Sequence, residues 1–434
     1  MANIWNESKE CMNRDELTAL QSKRLVKLVD KAYHSVDFYR KKMQSLGIEP
    51  GDVSGIEDIT KLPFTTKNDL RDTYPFGLNA VSQSEIVRVH ASSGTTGKAT
   101  VVTYTRKDID IWAECVARGM TMAGIGKNDI VQIAYGYGLF TGGLGAHYGA
   151  ENLGATVVPM STGNTKKLVT MMVDFGVTAI ACTPSYLLHI AETIEEMGLR
   201  DQIKLKSAVC GAEPWTENMR LQIERELGID AHDIYGLSEV MGPGVAMDCR
   251  YHKGLHVFED HFYPEILSPD TLEPVGEGVV GELAFTTLTK EGMPLLRYRT
   301  KDLTSIDRSP CECGRTQARI SRFKGRTDDM LIIRGVNVFP SQVEAALLEV
   351  GETMPHYLMI VDRVNNLDVL EIQVEVEESI FADEIRKLES LTKKITNGIK
   401  GALGLAVKVT LVEPKTIERS MGKAKRVIDN RKLD

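Results

Sequence analysis

The chain has no run of about 18 apolar residues, the length that a helix needs to cross a membrane, and it carries Glu7, Lys9 and Glu10 where a secretory signal would need an apolar core. Membrane spanning and export are therefore not expected, and a cytoplasmic location is. Cysteine is sparse: seven in 434 residues, an odd and scattered set that suits a reducing compartment better than a disulfide framework. A long basic block is also missing. The 52 Lys and Arg are outnumbered by 60 Asp and Glu, for a formal net charge of −8, and the cluster Lys423, Lys425, Arg426 and Arg431 is short, which argues against general nucleic-acid binding. There is no internal repeat and no low-complexity tract. A chain of this length exceeds one typical core, so two domains are expected, both large enough to bury a core without crosslinks.

What is present alternates. Leu17, Leu20, Leu25, Leu28, Val29 and Ala32 recur at near-helical spacing between Asp15 and His34, which predicts an amphipathic helix. From about Ile86 onward short β-rich runs alternate with helical stretches, with Ile130–Ala134, Ala155–Val158, Thr178–Cys182 and Ser207–Cys210 as strand candidates. This pattern predicts an α/β domain with largely parallel strands. After Arg326 the composition changes. Leu331–Arg334 reads as a strand, and Pro340 with the capping-box pair Ser341 and Glu344 opens a helix. Leu370, Ile372, Val374 and Val376 alternate with polar residues. Ile385, Leu388, Ile395 and Ile399 share a helix face, and Val407, Val409 and Leu411 alternate again. That is a small α+β unit of about 110 residues. The expected domains are 1–326 and 327–434.

The stretch Ser92-Ser93-Gly94-Thr95-Thr96-Gly97-Lys98 packs hydroxyls, two glycines and a lysine into seven residues, a composition suited to a polyphosphate such as ATP. It is no Walker A loop, because Ser92 stands where that motif needs its first glycine and Ala99 follows Lys98. A Ser/Gly-rich surface turn is the less favoured alternative for this segment alone. The segment Tyr135-Gly136-Tyr137-Gly138-Leu139-Phe140-Thr141 is not a dinucleotide fingerprint either. Thr141 holds the third glycine position, and the next strand ends in Pro159-Met160 without an acid for a ribose.

Further sparse signals follow in a fixed order: Tyr235-Gly236-Leu237-Ser238-Glu239, Tyr298-Arg299-Thr300-Lys301-Asp302, Gly325-Arg326-Thr327-Asp328-Asp329 and Gly422-Lys423. Together with the first loop they resemble the adenylate-forming superfamily of acyl-CoA synthetases, luciferases and peptide-synthetase adenylation domains. Lys61-Leu62-Pro63-Phe64-Thr65-Thr66-Lys67 and the run from Asp328 to Ser341 look like signatures of the phenylacetate-CoA ligase family within it, and the resemblance covers essentially the whole chain. It implies a large N-terminal α/β domain of adenylate-forming type and a small, mobile α+β C-terminal domain. The reaction implied is an ATP-dependent ligation of an aryl acid to CoA through an acyl-adenylate. Phenylacetate is the expected acid, with indoleacetate or another arylacetate, transfer to a different thiol acceptor, or a silent nucleotide-binding regulator as alternatives. A homodimer is within the family's expectation.

The resemblance also implies roles. Ser92, Ser93, Gly94, Thr95, Thr96, Gly97 and Lys98 would cradle the phosphates, and Glu239 would hold magnesium, a hard cation that prefers carboxylate oxygens. Asp302 would accept from the ribose hydroxyls. Gly211, Ala212, Glu213 and Pro214 would line the adenine, with Tyr235 stacked on it in the segment that also holds Gly236 and Ser238, a serine where threonine is more usual. Lys423 would stabilise the adenylation transition state, Asp328 would be the hinge, and Tyr135, Tyr137 and Phe140 would wall an aryl pocket, although aromatics at such spacing are as often plain core. Cys311-Glu312-Cys313-Gly314 presents two thiols in a tight knuckle. Cys249 with His256, or with His252, would complete a tetrahedral zinc site, the alternative being free thiols on a loop.

Overall fold

The computed structural model describes residues 3–92, 99–327, 331–334, 336–351, 353–354, 356–364, 367–377, 385–419 and 425–431. The fold has the two-domain architecture of adenylate-forming enzymes, a larger N-terminal α/β domain and a smaller C-terminal domain. By compactness the chain divides into one unit made of Met1–Cys182, Leu199–Ala212 and Ile229–Arg322, and a second made of Thr183–Gly198, Glu213–Gly228 and Phe323–Asp434. Two upstream helices, Pro184–Glu196 and Glu217–Leu227, thus group with the C-terminal residues.

A nine-stranded mixed sheet organises the first unit. Its parallel half runs in the order Thr156–Val158, Ile130–Ile133, Ala179–Cys182, Ser207–Gly211 and Asp230–Leu237, which places the four expected strands to within a residue or so. Fully buried apolar runs such as Ala179-Ile180-Ala181-Cys182 suit strands covered on both faces. The antiparallel half continues with Gly242–Asp248, Leu255–Val257, Arg319–Ile320 and Ile306–Asp307. Three further antiparallel strands, Phe262–Leu267, Gly281–Thr287 and Tyr298–Thr304, pair in sequence order. The expected N-terminal helix spans Arg14–Ser35, capped by the Asn13 side chain, and buries Leu17, Leu25, Leu28, Val29 and Ala32. Among the described residues no helix is long and apolar enough to cross a membrane.

The C-terminal part of the second unit carries a sheet in the order Lys408–Val412, Leu367–Glu375, Tyr357–Val364 and Val427–Asp429. Helices Pro340–Val350 and Ile385–Leu403 accompany it, and Val343, Leu347, Met359, Ile372, Val374, Leu391, Ile395 and Ile399 form one apolar core. The capping pair differs from the expected one. The helix starts at Pro340, so its third residue is Gln342, whose Oε1 accepts from the Phe339 N–H at 3.0 Å. Ser341 instead donates to the Lys324 carbonyl at 3.0 Å, and Glu344 lies buried one turn into the helix.

Helices Arg106–Met122 and Gly142–Leu153 pack unusually close, because glycine lines the face of the second. A Cβ on Gly149 would stand 2.2 Å from Cγ1 and 2.4 Å from Cβ of the fully buried Val116. Gly149→Ala would gain about 1 kcal/mol of helix propensity, but a β-branched neighbour in a filled core cannot yield. Overpacking therefore wins: the substitution is expected to cost about 1–3 kcal/mol in urea unfolding. Adding Val116→Ala should return part of that loss, and a single variant as stable as the wild type would show that the helices can part freely.

Candidate active site

The last parallel strand of the large sheet, Asp230–Leu237, and its first antiparallel strand, Gly242–Asp248, are joined by the turn from Ser238 to Met241. The junction is tight because Gly236 lies against Gly242: a Cβ at Gly236 would fall 1.9 Å from the Gly242 carbonyl oxygen, so only glycine fits. On this turn Ser238 and Glu239 are buried. The Ser238 hydroxyl lies 2.9 Å from that of Thr141, so the serine found in place of threonine is engaged. Glu239 Oε1 accepts from Thr100 Oγ1 at 3.3 Å and stands 3.7 Å from Lys67 Nζ.

Thr100 begins the second strand of an antiparallel ribbon, Arg88–Ser92 with Thr100–Tyr104, in which Ser92 pairs with Thr100 and their hydroxyls are hydrogen-bonded. This register joins Ser92, the first residue of the predicted phosphate loop, to Thr100, which in turn reaches Glu239. Ser93, Gly94, Thr95, Thr96, Gly97 and Lys98 lie outside the described residues, as do Lys423 and Asp328. Lys67 opens the helix Lys67–Asp72, which Thr66 caps. The sequence marked its segment as a signature without giving the lysine a role, and its place beside a carboxylate 172 positions away is visible only in the fold.

Asp302 sits buried on the strand Tyr298–Thr304, and its Oδ2 accepts from the Tyr235 hydroxyl at 2.6 Å. Tyr235 itself is half-buried, its ring tilted 30° against Phe285. Lys301, next to Asp302, and Ala212, next to Gly211, have φ of +70°, a left-handed conformation that costs a non-glycine residue on the order of 1–3 kcal/mol. Gly211 ends the strand Ser207–Gly211 in the first unit. Glu213 belongs with Pro214 to the second unit, where its Oε1 accepts from the Ser185 N–H at 2.8 Å at the start of the helix Pro184–Glu196, a favourable place for an anion.

The aromatic segment is tied to the ribbon, since the Leu139 carbonyl accepts from the Ala91 N–H at 3.0 Å and is 2.9 Å from His90 Nδ1. Its rings differ in setting. Tyr135 is buried, with its hydroxyl donating to the Cys182 carbonyl at 2.6 Å, while Tyr137 is half-buried and bonded to His147 Nδ1 at 3.1 Å. Phe140 is 43% exposed.

The fold gathers Cys249, His256, Cys311 and Cys313 with their ligand atoms all within 4.8 Å of one another, every residue buried. Cys249 Sγ lies 3.8 Å from Cys311 Sγ, and Cys313 Sγ lies 3.4 Å from His256 Nε2. A tetrahedral zinc ion with ordinary bond lengths would set its sulfurs about 3.8 Å apart and sulfur to nitrogen about 3.5 Å apart, so the donor set fits in chemistry and in span. The Cys313 thiol is held well below its usual range, first by a hydrogen bond from Cys249 and then by His256, which favours the thiolate that a metal needs. His252 is drawn elsewhere. Its Nδ1 is 2.6 Å from Asp248 Oδ2 and its ring stacks on His232, in a separate His232, Asp248 and His252 cluster.

Residues 28–288 match the model of the AMP-binding enzyme family, and residues 335–431 match that of the AMP-binding enzyme C-terminal domain. The chain is 50% identical to the phenylacetate-coenzyme A ligase of Thermus thermophilus, over 99% of this chain and 100% of that one. It is 51% identical to the phenylacetate-coenzyme A ligase of Aromatoleum evansii, over 98% and 97%. This chain belongs to the phenylacetate-CoA ligase family of AMP-binding enzymes. Among solved structures, a phenylacetate-CoA ligase family fold of this kind is similar to 2-hydroxyisobutyryl-CoA ligase in the postadenylation state in complex with 2-HIB-AMP, with a TM-score of 0.93, 30% identity and coverage of 99% and 93% of the two chains. Against the same ligase in complex with 2-HIB-AMP and CoA in the thioesterification state, the TM-score is 0.73 at 31% identity, covering 98% and 92%.

Proposed function

We propose that the protein is an ATP-dependent phenylacetate-CoA ligase of the acid-thiol, AMP-forming type. What carries this reading is the likeness to phenylacetate-CoA ligases along the whole chain. The arrangement of Glu239, Thr100, Lys67, Tyr235 and Asp302 in one unit supports it. A carboxylate cannot acylate a thiol directly, since oxide would be the leaving group. Its oxygen therefore attacks the α-phosphorus of ATP, giving the acyl-adenylate and releasing pyrophosphate; the CoA thiolate then attacks the acyl carbon and AMP departs.

The first step brings an anion against a polyanion, so fixed cations and donors must surround the phosphates. The segment from Ser92 to Lys98 supplies donors and charge, with Lys67 as a further cation. A bound magnesium ion would neutralise phosphate charge, and the buried Glu239 is the side chain to hold it. Asp302, with one oxygen already receiving the Tyr235 hydroxyl, is assigned to the ribose. Gly211, Ala212, Glu213 and Pro214 with Tyr235 are assigned to the adenine, and Tyr135, Tyr137 and Phe140 to the aryl pocket. We assign the reaction to the cytosol, a reducing compartment that suits seven cysteines outside any disulfide.

With Mg-ATP, CoA and phenylacetate the protein should yield AMP, pyrophosphate and phenylacetyl-CoA. ADP as product would refute the mechanism, whereas inert arylacetates beside reactive short aliphatic acids would overturn the substrate alone.

Zinc is assigned to Cys249, His256, Cys311 and Cys313, in a structural role. Metal analysis should find about one equivalent per chain, and Cys311→Ser should lower the thermal midpoint without weakening nucleotide binding. A metal-free preparation of full stability would sink the assignment.

Residues 327–434 are read as the domain that alternates between half-reactions, with Asp328 as hinge and Lys423 as the cation present only for adenylation. Lys423→Ala is expected to slow pyrophosphate release by about two to three orders of magnitude while sparing thioester formation from supplied acyl-adenylate. Asp328→Pro, which fixes φ, should do the reverse. Parallel loss of both half-reactions in both folded variants would end the alternation account.

A further inference from the structure

Lys290 is buried, at 1% exposure, just beyond the strand Gly281–Thr287. An ammonium taken out of water must have its donors met by protein. Two of them meet successive main-chain oxygens of the active-site turn: Nζ donates to the Glu239 carbonyl at 3.1 Å and to the Val240 carbonyl at 2.9 Å. The same Nζ stands 4.6 Å from the centre of the Tyr104 ring, a cation–π contact in a dry place. The Tyr104 hydroxyl in turn reaches the two flanking oxygens, 3.1 Å from the Met241 carbonyl and 3.3 Å from that of Ser238. All four carbonyls of the turn from Ser238 to Met241 therefore end on two side chains that are themselves in contact.

The frame behind them is fixed. Tyr104 stacks on Trp112 at 5.1 Å and 16°, and the buried Asp108 accepts from the Glu291 and Gly292 N–H groups at 2.7 and 2.8 Å, pinning the loop that presents Lys290. Burial pulls the Lys290 ammonium down to about 8, with Asp108 and Glu239 opposing the fall. Among the described residues the Glu239 carboxylate meets Thr100 and Lys67 at 3.3 and 3.7 Å, contacts too long to orient it strongly. The backbone that carries it is held far more closely.

We infer that Lys290 is a positioning residue for adenylation: together with Tyr104 it immobilises the backbone that carries Glu239, so that the carboxylate is presented to magnesium and ATP in one geometry. The inference rests on the reading of Glu239 as the magnesium holder. Preorganisation of this kind acts on the metal-dependent half-reaction and not on attack by CoA.

Lys290→Met keeps length and removes charge and donors; Tyr104→Phe removes the one O–H shared between the Ser238 and Met241 carbonyls; Glu239→Gln tests the underlying reading. Pyrophosphate release is measured against Mg2+ concentration, alongside thioester formation from supplied phenylacetyl-AMP. Lys290→Met should raise the half-saturating Mg2+ concentration by about tenfold and lower the adenylation kcat, with thioester formation kept within about twofold, and Tyr104→Phe should move Mg2+ dependence the same way by less. A Lys290→Met enzyme with wild-type Mg2+ dependence, or with both half-reactions lowered equally, overturns the role. Should that variant not fold, Tyr104→Phe decides, and an unchanged Mg2+ dependence in it counts against the role. If Glu239→Gln alone leaves the Mg2+ dependence untouched, the assignment of Glu239 fails instead.

Discussion

The near contact of Gly236 with the Gly242 carbonyl is the constraint on which the rest of the site is built. It marks the large sheet's change from parallel to antiparallel pairing, where the four-residue turn from Ser238 to Met241 carries Glu239. The strand that precedes the turn brings Tyr235 to Asp302, and the strand that follows it ends at Asp248, one residue before Cys249 of the thiol cluster. Glu239's turn and the thiol cluster are thus tied to one strand: a slip of one residue in Gly242–Asp248 would turn every side chain of that strand to the opposite face.

Around this centre the first unit spends many buried charges on fixing loops. Arg118 Nη1 meets Asp260 Oδ1 at 2.9 Å, both 1% exposed at the side chain, and Arg315 Nε meets Glu10 Oε2 at 2.6 Å in a similarly dry setting. Such pairs gain little net stability over apolar packing, because desolvation offsets their attraction, but removing one partner leaves a stranded charge at a cost of about 3–5 kcal/mol. Their value lies in exclusion of alternatives. Glu10 also accepts from the N–H groups of Trp5 and Asn6, so Arg315, two residues beyond Cys313, holds the chain's N-terminal arm beside the knuckle.

Local patterns were legible in the sequence and long-range ones were not. The strands Ala179–Cys182 and Ser207–Gly211 could be read because a doubly covered strand is a short apolar run, a property of neighbouring residues. The antiparallel half escaped: Arg319–Ile320 and Ile306–Asp307 are two residues each, too short to show a period. The grouping of Pro184–Glu196 and Glu217–Leu227 with the C-terminal residues is equally non-local. Of the site, motif order pointed to Glu239, Tyr235 and Asp302. Spacing left His252 and His256 as rivals for the thiols, and the pairing of Met247 with His256 across adjacent strands is what brings His256 to Cys313. Lys67 and Lys290 carry no pattern of their own, since their partners lie 172 and about 50 residues away.

The order of the nine-stranded sheet bears on how the molecule behaves at high concentration. A sheet this wide exposes unpaired backbone N–H and C=O groups along two margins, the usual template for edge-to-edge aggregation. Here the outermost strands are the three residues Thr156–Val158 on one side and the two residues Ile306–Asp307 on the other. Margins so short offer a foreign strand too few ladder positions to grip, and one of them carries an acid at its end. The longer strands, Asp230–Leu237 and Gly242–Asp248, lie inside this sheet, where both of their edges are already paired.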